Sequence, residues 1–346
     1  MEALGIFNQS PVSIDKLQVL PMAPRSRIAA SLYVRYGWRR LLQRRLQGTL
    51  HQYDLLIVSH INLAPSVYSA WLQCKKRPPY WMCAYGVEAW GSFTRLQIQA
   101  LKNAKCIISI SNYTADKIRE RLFKSLRIFV VPNPVDTNMF IPPSISVIND
   151  KKILLTVSRI SSNERYKGHE IVIQALPLIE DKLKTPVLYK VVGSGDDVGY
   201  LRSLAAQVGV KDRVRFVGYL PHLSIPLIEA YQNCDVFVMP SRVERCKNGR
   251  WTGEGFGNVY IEAAACSKPV IASNQGGAAE AILDGVTGFA VDPTSPEAVA
   301  EAAYKLLSDS TLASQMGQAG RKFVSENFST QVFQHRVSRL LGENGF

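Results

Sequence analysis

The sequence predicts an α/β protein of two consecutive domains, each a parallel sheet with helical crossovers, and three observations carry that reading. At 346 residues the chain exceeds one small domain, and roughly 100–200 residues per domain implies two. Short, almost continuously apolar runs alternate with helix-like segments in two separate series, the mark of parallel strands covered on both faces. A glycine-rich loop, Gly253-Glu254-Gly255-Phe256-Gly257, opens a short helix that leads into a β-branched strand beginning at Pro269.

Taken in order, residues 1–23 show no regular pattern and are interrupted by Pro11 and Pro21. A helix is expected from about Arg27 to Leu50, because Ile28, Leu32, Trp38, Leu42, Leu46 and Leu50 share a broad face. Arg35 and Arg39 fall within that apolar arc, so their stems must pass its edge. The first series places strands at 54–59, 79–84, 106–111 and 128–131, with helices through Trp71, over 94–103 and from about Asn112. Prolines 132, 134, 142 and 143 punctuate a polar, turn-rich segment that reads as the domain junction. The second series places strands at 152–157, 187–192, 214–217, 236–239 and 270–272, with helices over 168–180 and 197–208. From Pro296 the chain reads as helical, closing with an amphipathic helix near 329–341. The expected domains are 1–145 and 146–328, with the segment 329–346 returning towards the first.

Composition narrows the class. With 47% hydrophobic and 20% charged residues the chain is globular, and no apolar run approaches the roughly 18 residues that span a bilayer. The six cysteines are scattered without a C-x-x-C pair, which suits reduced thiols in the cytoplasm rather than a disulfide framework or a zinc site. Of the net charge of +13, residues 1–150 hold +11, from 19 basic against 8 acidic residues. Seven arginines (25, 27, 35, 39, 40, 44 and 45) follow one another with no acidic residue between them. Such a field attracts an anionic membrane surface, here the inner face of the cell membrane. Nucleic acid is not expected, since no aromatic-interleaved motif accompanies the charge.

The glycine loop carries the chemistry. A helix N-terminus with free N–H groups takes a phosphate or another anion. Glu254 stands just before those amides and Glu262 two turns on, and a carboxylate beside an anion site serves best as a hydroxyl acceptor. The ligand implied is a nucleotide sugar.

With these residues quoted, the chain from about residue 54 onward resembles the retaining glycosyltransferases of the GT-B fold, in the bacterial E-x7-E class of glycosyltransferase family 4. That class is typified by lipid-linked mannosyltransferases and exopolysaccharide glycosyltransferases. The matching string runs through Glu254 and Glu262, the Pro269-Val270-Ile271-Ala272 strand, Gly276-Gly277-x-x-Glu280 and Asp284-Gly285-x-x-Gly288. Ser158-Arg159, Tyr166-Lys167-Gly168 and Gly193-Ser194-Gly195 match as well. The resemblance implies two Rossmann-like domains facing a cleft. It implies that Arg159 and Lys167 hold the donor diphosphate, with Glu254 on donor-sugar hydroxyls and Glu262 on the ribose. The backbone of Gly255, Phe256, Gly257 and Asn258 would face sugar and phosphate. Gly193 and Gly195 suit a nucleotide contact or a plain turn, and Asp196-Asp197 read as helix caps rather than metal ligands.

Two departures stand out. Relatives carry His-Gly-x-Glu where this chain has Tyr85-Gly86-Val87-Glu88, and Tyr85 can donate a hydrogen bond but cannot act as a base near neutral pH. His60, closing another strand, is the alternative sugar contact. Relatives also open with a strand, a Gly-Gly loop and a long helix, which residues 1–24 do not show, so the N-terminal domain reads as lacking its first βα unit. The expected activity is transfer of a hexose, mannose or glucose, from a nucleoside-diphosphate sugar to a lipid-linked or polysaccharide hydroxyl. No cofactor or metal is implied. The basic segment 242–250 resembles an insertion in some mannosyltransferases, and that resemblance favours GDP-mannose as donor. The rival readings are an inactive homologue that binds a nucleotide sugar or a partner protein, and a glycoside hydrolase, which would leave Arg159 and Lys167 without a role.

Overall fold

A computed structural model of the chain describes residues 50, 53–122, 126–144, 151–246 and 249–345. These form two compact units, one reaching Val131 and including the stretch from Val337, the other Pro132–Arg336. The basic helix expected from about Arg27, and the stretch in which the first βα unit was expected to be lacking, lie outside the described residues.

In the first unit, β1 (Leu56–Val58) leads through a 3-10 turn into α1 (Ala64–Leu72), then β2 (Tyr80–Ala84), α2 (Val87–Trp90) and α3 (Arg95–Asn103). β3 (Cys106–Ser109), α4 (Asn112–Arg121) and β4 (Ile128–Val130) complete the series. The sheet order is β1-β2-β3-β4, all parallel, with Trp81 opposite Cys106 and Ile107 opposite Ile128. β2 is buried along its whole length, as its unbroken apolar run requires. Helix starts follow their capping residues. Thr94 and Gln97 form a reciprocal capping box at α3, and the Ser111 hydroxyl accepts from the Thr114 N–H at α4.

The second unit runs β5 (Lys152–Val157), α5 (His169–Leu183), β6 (Val187–Val192), α6 (Val198–Gln207), β7 (Val214–Gly218), α7 (Ile225–Gln232) and β8 (Val236–Met239). A small antiparallel pair, β9 (Glu244–Arg245) and β10 (Trp251–Thr252), precedes α8 (Asn258–Ala265) and β11 (Val270–Ser273). β12 (Gly288–Val291), α9 (Pro296–Ser308), α10 (Ser310–Asn327) and α11 (Thr330–Glu343) follow, the last crossing into the stretch that belongs to the first unit. The parallel sheet has the order β12-β11-β8-β5-β6-β7. From β5 the chain builds outward to β6 and β7, then returns to β8 and builds the other way. With right-handed crossovers this reversal puts α8 on the opposite face from α5 and α6. The gap between the carboxyl ends of β5 and β8 is the topological switch point, where open α/β sheets bind ligands. Both units have the parallel-sheet α/β architecture the sequence predicts. α7, β12 and the β9–β10 pair were not anticipated.

Candidate functional site

The residues expected to hold a donor sit on three loops around that switch point. After β5, Ser158-Arg159 enter a loop that winds into a 3-10 helix, Ser162–Lys167, and ends at Gly168 with φ 80°. This loop is stapled to the one after β6. Ser162 donates to Asp196 through its N–H at 3.0 Å and its hydroxyl at 2.6 Å, while Arg165 forks onto Asp197 at 2.8 and 2.7 Å. The Arg165 guanidinium also lies 3.8 Å from the Tyr200 ring centre. Asp196 and Asp197 therefore do not act as expected for caps: Asp197 occupies the N-cap position of α6 but makes no side-chain cap bond. A Cβ on Gly193 would lie 1.8 Å from the Ser158 carbonyl oxygen, and one on Gly195 1.8 Å from that of Ile160. Glycine at both positions is thus required by the close approach of the two loops.

The third loop carries Glu254 and opens α8. Its N-cap, Gly257, is left-handed at φ 89°, and a Cβ there would meet the Tyr260 ring at 2.3 Å. Tyr260 is buried and donates to the Met239 carbonyl at 2.8 Å, which ties α8 to the end of β8. Among the described residues no acceptor takes the N–H groups of Gly255, Phe256, Gly257 or Asn258. The Phe256 side chain is buried against Phe328, so only its backbone can serve a ligand. The Asn258 amide accepts from Asn133 at 3.3 Å.

The loops converge on one ion pair. Lys167 Nζ lies 2.6 Å from Glu254 Oε1, with 11% and 15% of the two side chains exposed. Burial disfavours the Lys167 charge, but Glu254 and the neighbouring groups more than offset it and hold the ammonium pKa above its ordinary value. Arg159 is paired too, to Glu164 at 2.5 Å, although its guanidinium is largely exposed. Between them stands Tyr166, whose hydroxyl is pushed up to about 12 by burial and by the Glu254 carboxylate, with Lys167, Glu164 and Arg159 all within electrostatic reach. Arg242 closes the floor of the site, pairing with Glu170 at 3.1 Å and donating its N–H to the Tyr166 carbonyl at 2.8 Å.

Glu262 is buried at 6% exposure, with one partner on each carboxylate oxygen. Oε2 accepts from the Tyr231 hydroxyl at 2.6 Å, and Oε1 is 3.3 Å from His222 Nε2. Burial first, and the carboxylate second, keep the Tyr231 hydroxyl well above its ordinary pKa, so it is a permanent donor. Glu164, His222, Tyr231 and Asn133 were not singled out from the sequence; the partners of the last three lie 40, 31 and 125 residues away.

In the first unit Tyr85 and His60 come together, with ring centres 6.4 Å apart. The Tyr85 N–H donates to Glu88 at 2.5 Å, and His60 Nδ1 accepts from the Asn62 N–H at 3.1 Å, which leaves Nε2 as the nitrogen able to donate. Burial and the adjacent Cys83 thiol raise the Tyr85 hydroxyl, which stays neutral and can donate. Among the described residues no helix is long and apolar enough to cross a membrane.

Comparison with known proteins gives a consistent picture. A family model described as glycosyl transferases group 1 matches residues 140–323, and one described as glycosyltransferase family 4 matches residues 8–139. The match thus reaches further towards the N-terminus than the residue-54 start expected above. The chain is 32% identical over 247 residues to a GDP-mannose-dependent alpha-(1-6)-phosphatidylinositol monomannoside mannosyltransferase of Mycolicibacterium smegmatis, covering 69% of this chain and 62% of that protein. A protein of the same description from Mycobacterium tuberculosis is 35% identical over 237 residues, covering 67% and 60%. The chain therefore spans about three fifths of the length of these relatives. Among solved structures, HepE of Anabaena in complex with UDP superposes with a TM-score of 0.74 at 20% identity, covering 92% of this chain and 84% of that one. Sucrose-phosphate synthase from Thermosynechococcus elongatus gives 0.74 at 22%, covering 99% and 90%. These likenesses show that the fold is GT-B.

Proposed function

We propose a function that proceeds from family: this chain belongs to the glycosyl transferases of group 1, and we infer that it moves a hexose from a nucleoside-diphosphate sugar to a hydroxyl of a lipid-linked or polysaccharide acceptor. GDP-mannose is the favoured donor, consistent with the donor named for the mannosyltransferases it resembles. The observation that carries the reading is the Lys167–Glu254 contact at 2.6 Å. It joins, across 87 residues of chain, a cation suited to a diphosphate and a carboxylate suited to sugar hydroxyls, beside unpaired backbone N–H groups at a helix start.

Sugar transfer leaves negative charge on the departing diphosphate, and fixed cations with helix N–H groups stabilise it. Lys167 and Arg159 fill that role by leaving Glu254 and Glu164 for the phosphates. Glu254 is then free to accept from the sugar. Glu262, held by Tyr231 and His222, presents its remaining lone pairs to the ribose. The family resemblance supports retention of anomeric configuration, with the leaving phosphate helping to take the acceptor proton, so that no protein base is needed and Tyr85 in place of histidine is compatible with turnover. No metal is required. The arginines between residues 25 and 45 lie outside the described residues; we assign them to peripheral attachment at the cytoplasmic face of an anionic membrane.

The test is donor turnover with GDP-mannose and UDP-glucose in the presence of EDTA, beside calorimetric binding of both. Turnover with net retention is expected for one donor. Binding of either without turnover would favour the inactive homologue, and no binding of either would sink the reading. Flotation with vesicles tests the membrane role: equal recovery on neutral and anionic lipid would remove it.

A further inference from the structure

His169 is the first residue of α5, two positions after Lys167, and is buried at 5% exposure. Its Nδ1 lies 3.1 Å from the Tyr189 hydroxyl and its Nε2 2.8 Å from the Ser158 hydroxyl. With the ring neutral, counting hydrogens fixes every direction. Thr156 donates its one hydroxyl hydrogen to the Val238 carbonyl, so Tyr189 must donate its own to Thr156, at 2.9 Å. Tyr189 then accepts from the Nδ1–H of His169, which leaves Nε2 bare to accept from Ser158. The result is a buried chain of single hydrogen bonds from β8 through β5 and β6 to α5, ending on the residue that precedes Arg159.

A second proton on the ring would break this order. Nε2 would then donate to Ser158, whose hydrogen would turn to the Arg159 carbonyl at 3.0 Å. The surroundings oppose that state: burial and the neighbouring Lys167 ammonium disfavour the imidazolium, against weaker pulls from Asp197 and the Arg159 carbonyl. Nothing in the proposed chemistry uses His169 directly. It touches the turn that sets Arg159 and lies next to the turn that sets Lys167, the two cations the reaction needs at fixed separation.

We propose that His169 is a positioning residue of the diphosphate site: its neutral ring, clamped between Tyr189 and Ser158, fixes the turn that carries Arg159 relative to the helix start that carries Lys167. This rests on the proposed donor site. The required feature is an acceptor facing Ser158, which glutamine keeps and phenylalanine removes while still filling the volume.

The experiment measures calorimetric binding of GDP and UDP to the full chain as wild type, His169→Gln, His169→Phe and Ser158→Ala, at a temperature where melting curves show each to be folded. With GDP or UDP bound by the wild type, His169→Gln should stay within about threefold of it, and His169→Phe and Ser158→Ala should each bind about tenfold more weakly, the size of one buried hydrogen bond. Where His169→Phe does not fold, Ser158→Ala carries the test. Folded His169→Phe or Ser158→Ala binding as tightly as wild type, or His169→Gln weakened as much as His169→Phe, would overturn the positioning role alone. A wild type that binds neither nucleotide would overturn the donor site, and this role with it.

Discussion

The two units hold their candidate residues in different ways. Around Lys167 in the second unit, three loops are cross-tied by Ser162–Asp196, Arg165–Asp197 and Arg242–Glu170 contacts, and the cation and carboxylate at the centre are largely buried. Around Tyr85 in the first unit, the ties described are local, Tyr85 to Glu88 and His60 to Asn62, and Tyr85 is 39% exposed. A group fixed by long-range buried contacts has little freedom left to lose on binding, and its replacement disturbs several partners at once. A group fixed by its own neighbours in sequence can be exchanged at small cost. That contrast fits the departure at Tyr85 from the histidine that the family resemblance implies, beside the implied Glu254, Glu262 and Lys167.

The contrast can be broken or sharpened by four measurements. The largest effect is expected at the central pair: Lys167→Ala or Glu254→Ala should lower donor turnover by about a hundredfold or more in steady-state kinetics. Each single change also strands a buried charge, so urea unfolding should show a loss of roughly 3 kcal/mol. The double variant Lys167→Met/Glu254→Gln should regain most of that stability and none of the turnover. Recovery of turnover with stability would make the pair structural.

Next in size is acid sensitivity. Burial and Lys167 lower the His169 pKa to about 4, below the ordinary value of about 6.5. Between those values the unfolded chain binds the extra proton, so the contribution is fully present above about pH 6.5 and is lost as pH falls towards 4. The loss amounts to about 3 kcal/mol. Unfolding at pH 7 and 4.5 should show it in the wild type and much less of it in His169→Gln; identical pH dependence in the two would locate the sensitive group elsewhere.

Tyr231→Phe removes one of the two side-chain partners of Glu262, and donor affinity should fall about tenfold. An unchanged donor KM would detach Glu262 from the ribose. The smallest effect belongs to the first unit, where Tyr85→Phe should change turnover by no more than about threefold. A loss there exceeding that of Lys167→Ala would invert the comparison.

The sequence exposed most of the fold because its central strands are buried on both faces and read as apolar runs, as in 152–157 and 236–239. What escaped lacked that signature. α7 carries Pro226 inside its first turn, where it is tolerated but looks like a break. β12 is four residues opened by a glycine, and β9 and β10 are two residues each. At the site, the two glutamates were legible from the glycine loop that opens a helix, whereas Arg159 and Lys167 were legible only through their family pattern, and nothing local says that Lys167 and Glu254 meet. Asp196 and Asp197 illustrate the limit. At a helix start they look like caps, and only the folded loop at 162–165 reveals their partners.

The pairing of Arg159 with Glu164 and of Lys167 with Glu254 also governs how an anion arrives. A cation already matched by a carboxylate projects little field into solution, so these pairs do not draw a diphosphate from a distance as an unpaired arginine cluster would. Capture is then an exchange of partners at contact range. Its association rate should vary only weakly with ionic strength, while any attraction of the whole chain to an anionic surface through the arginines between 25 and 45 should fall steeply with added salt.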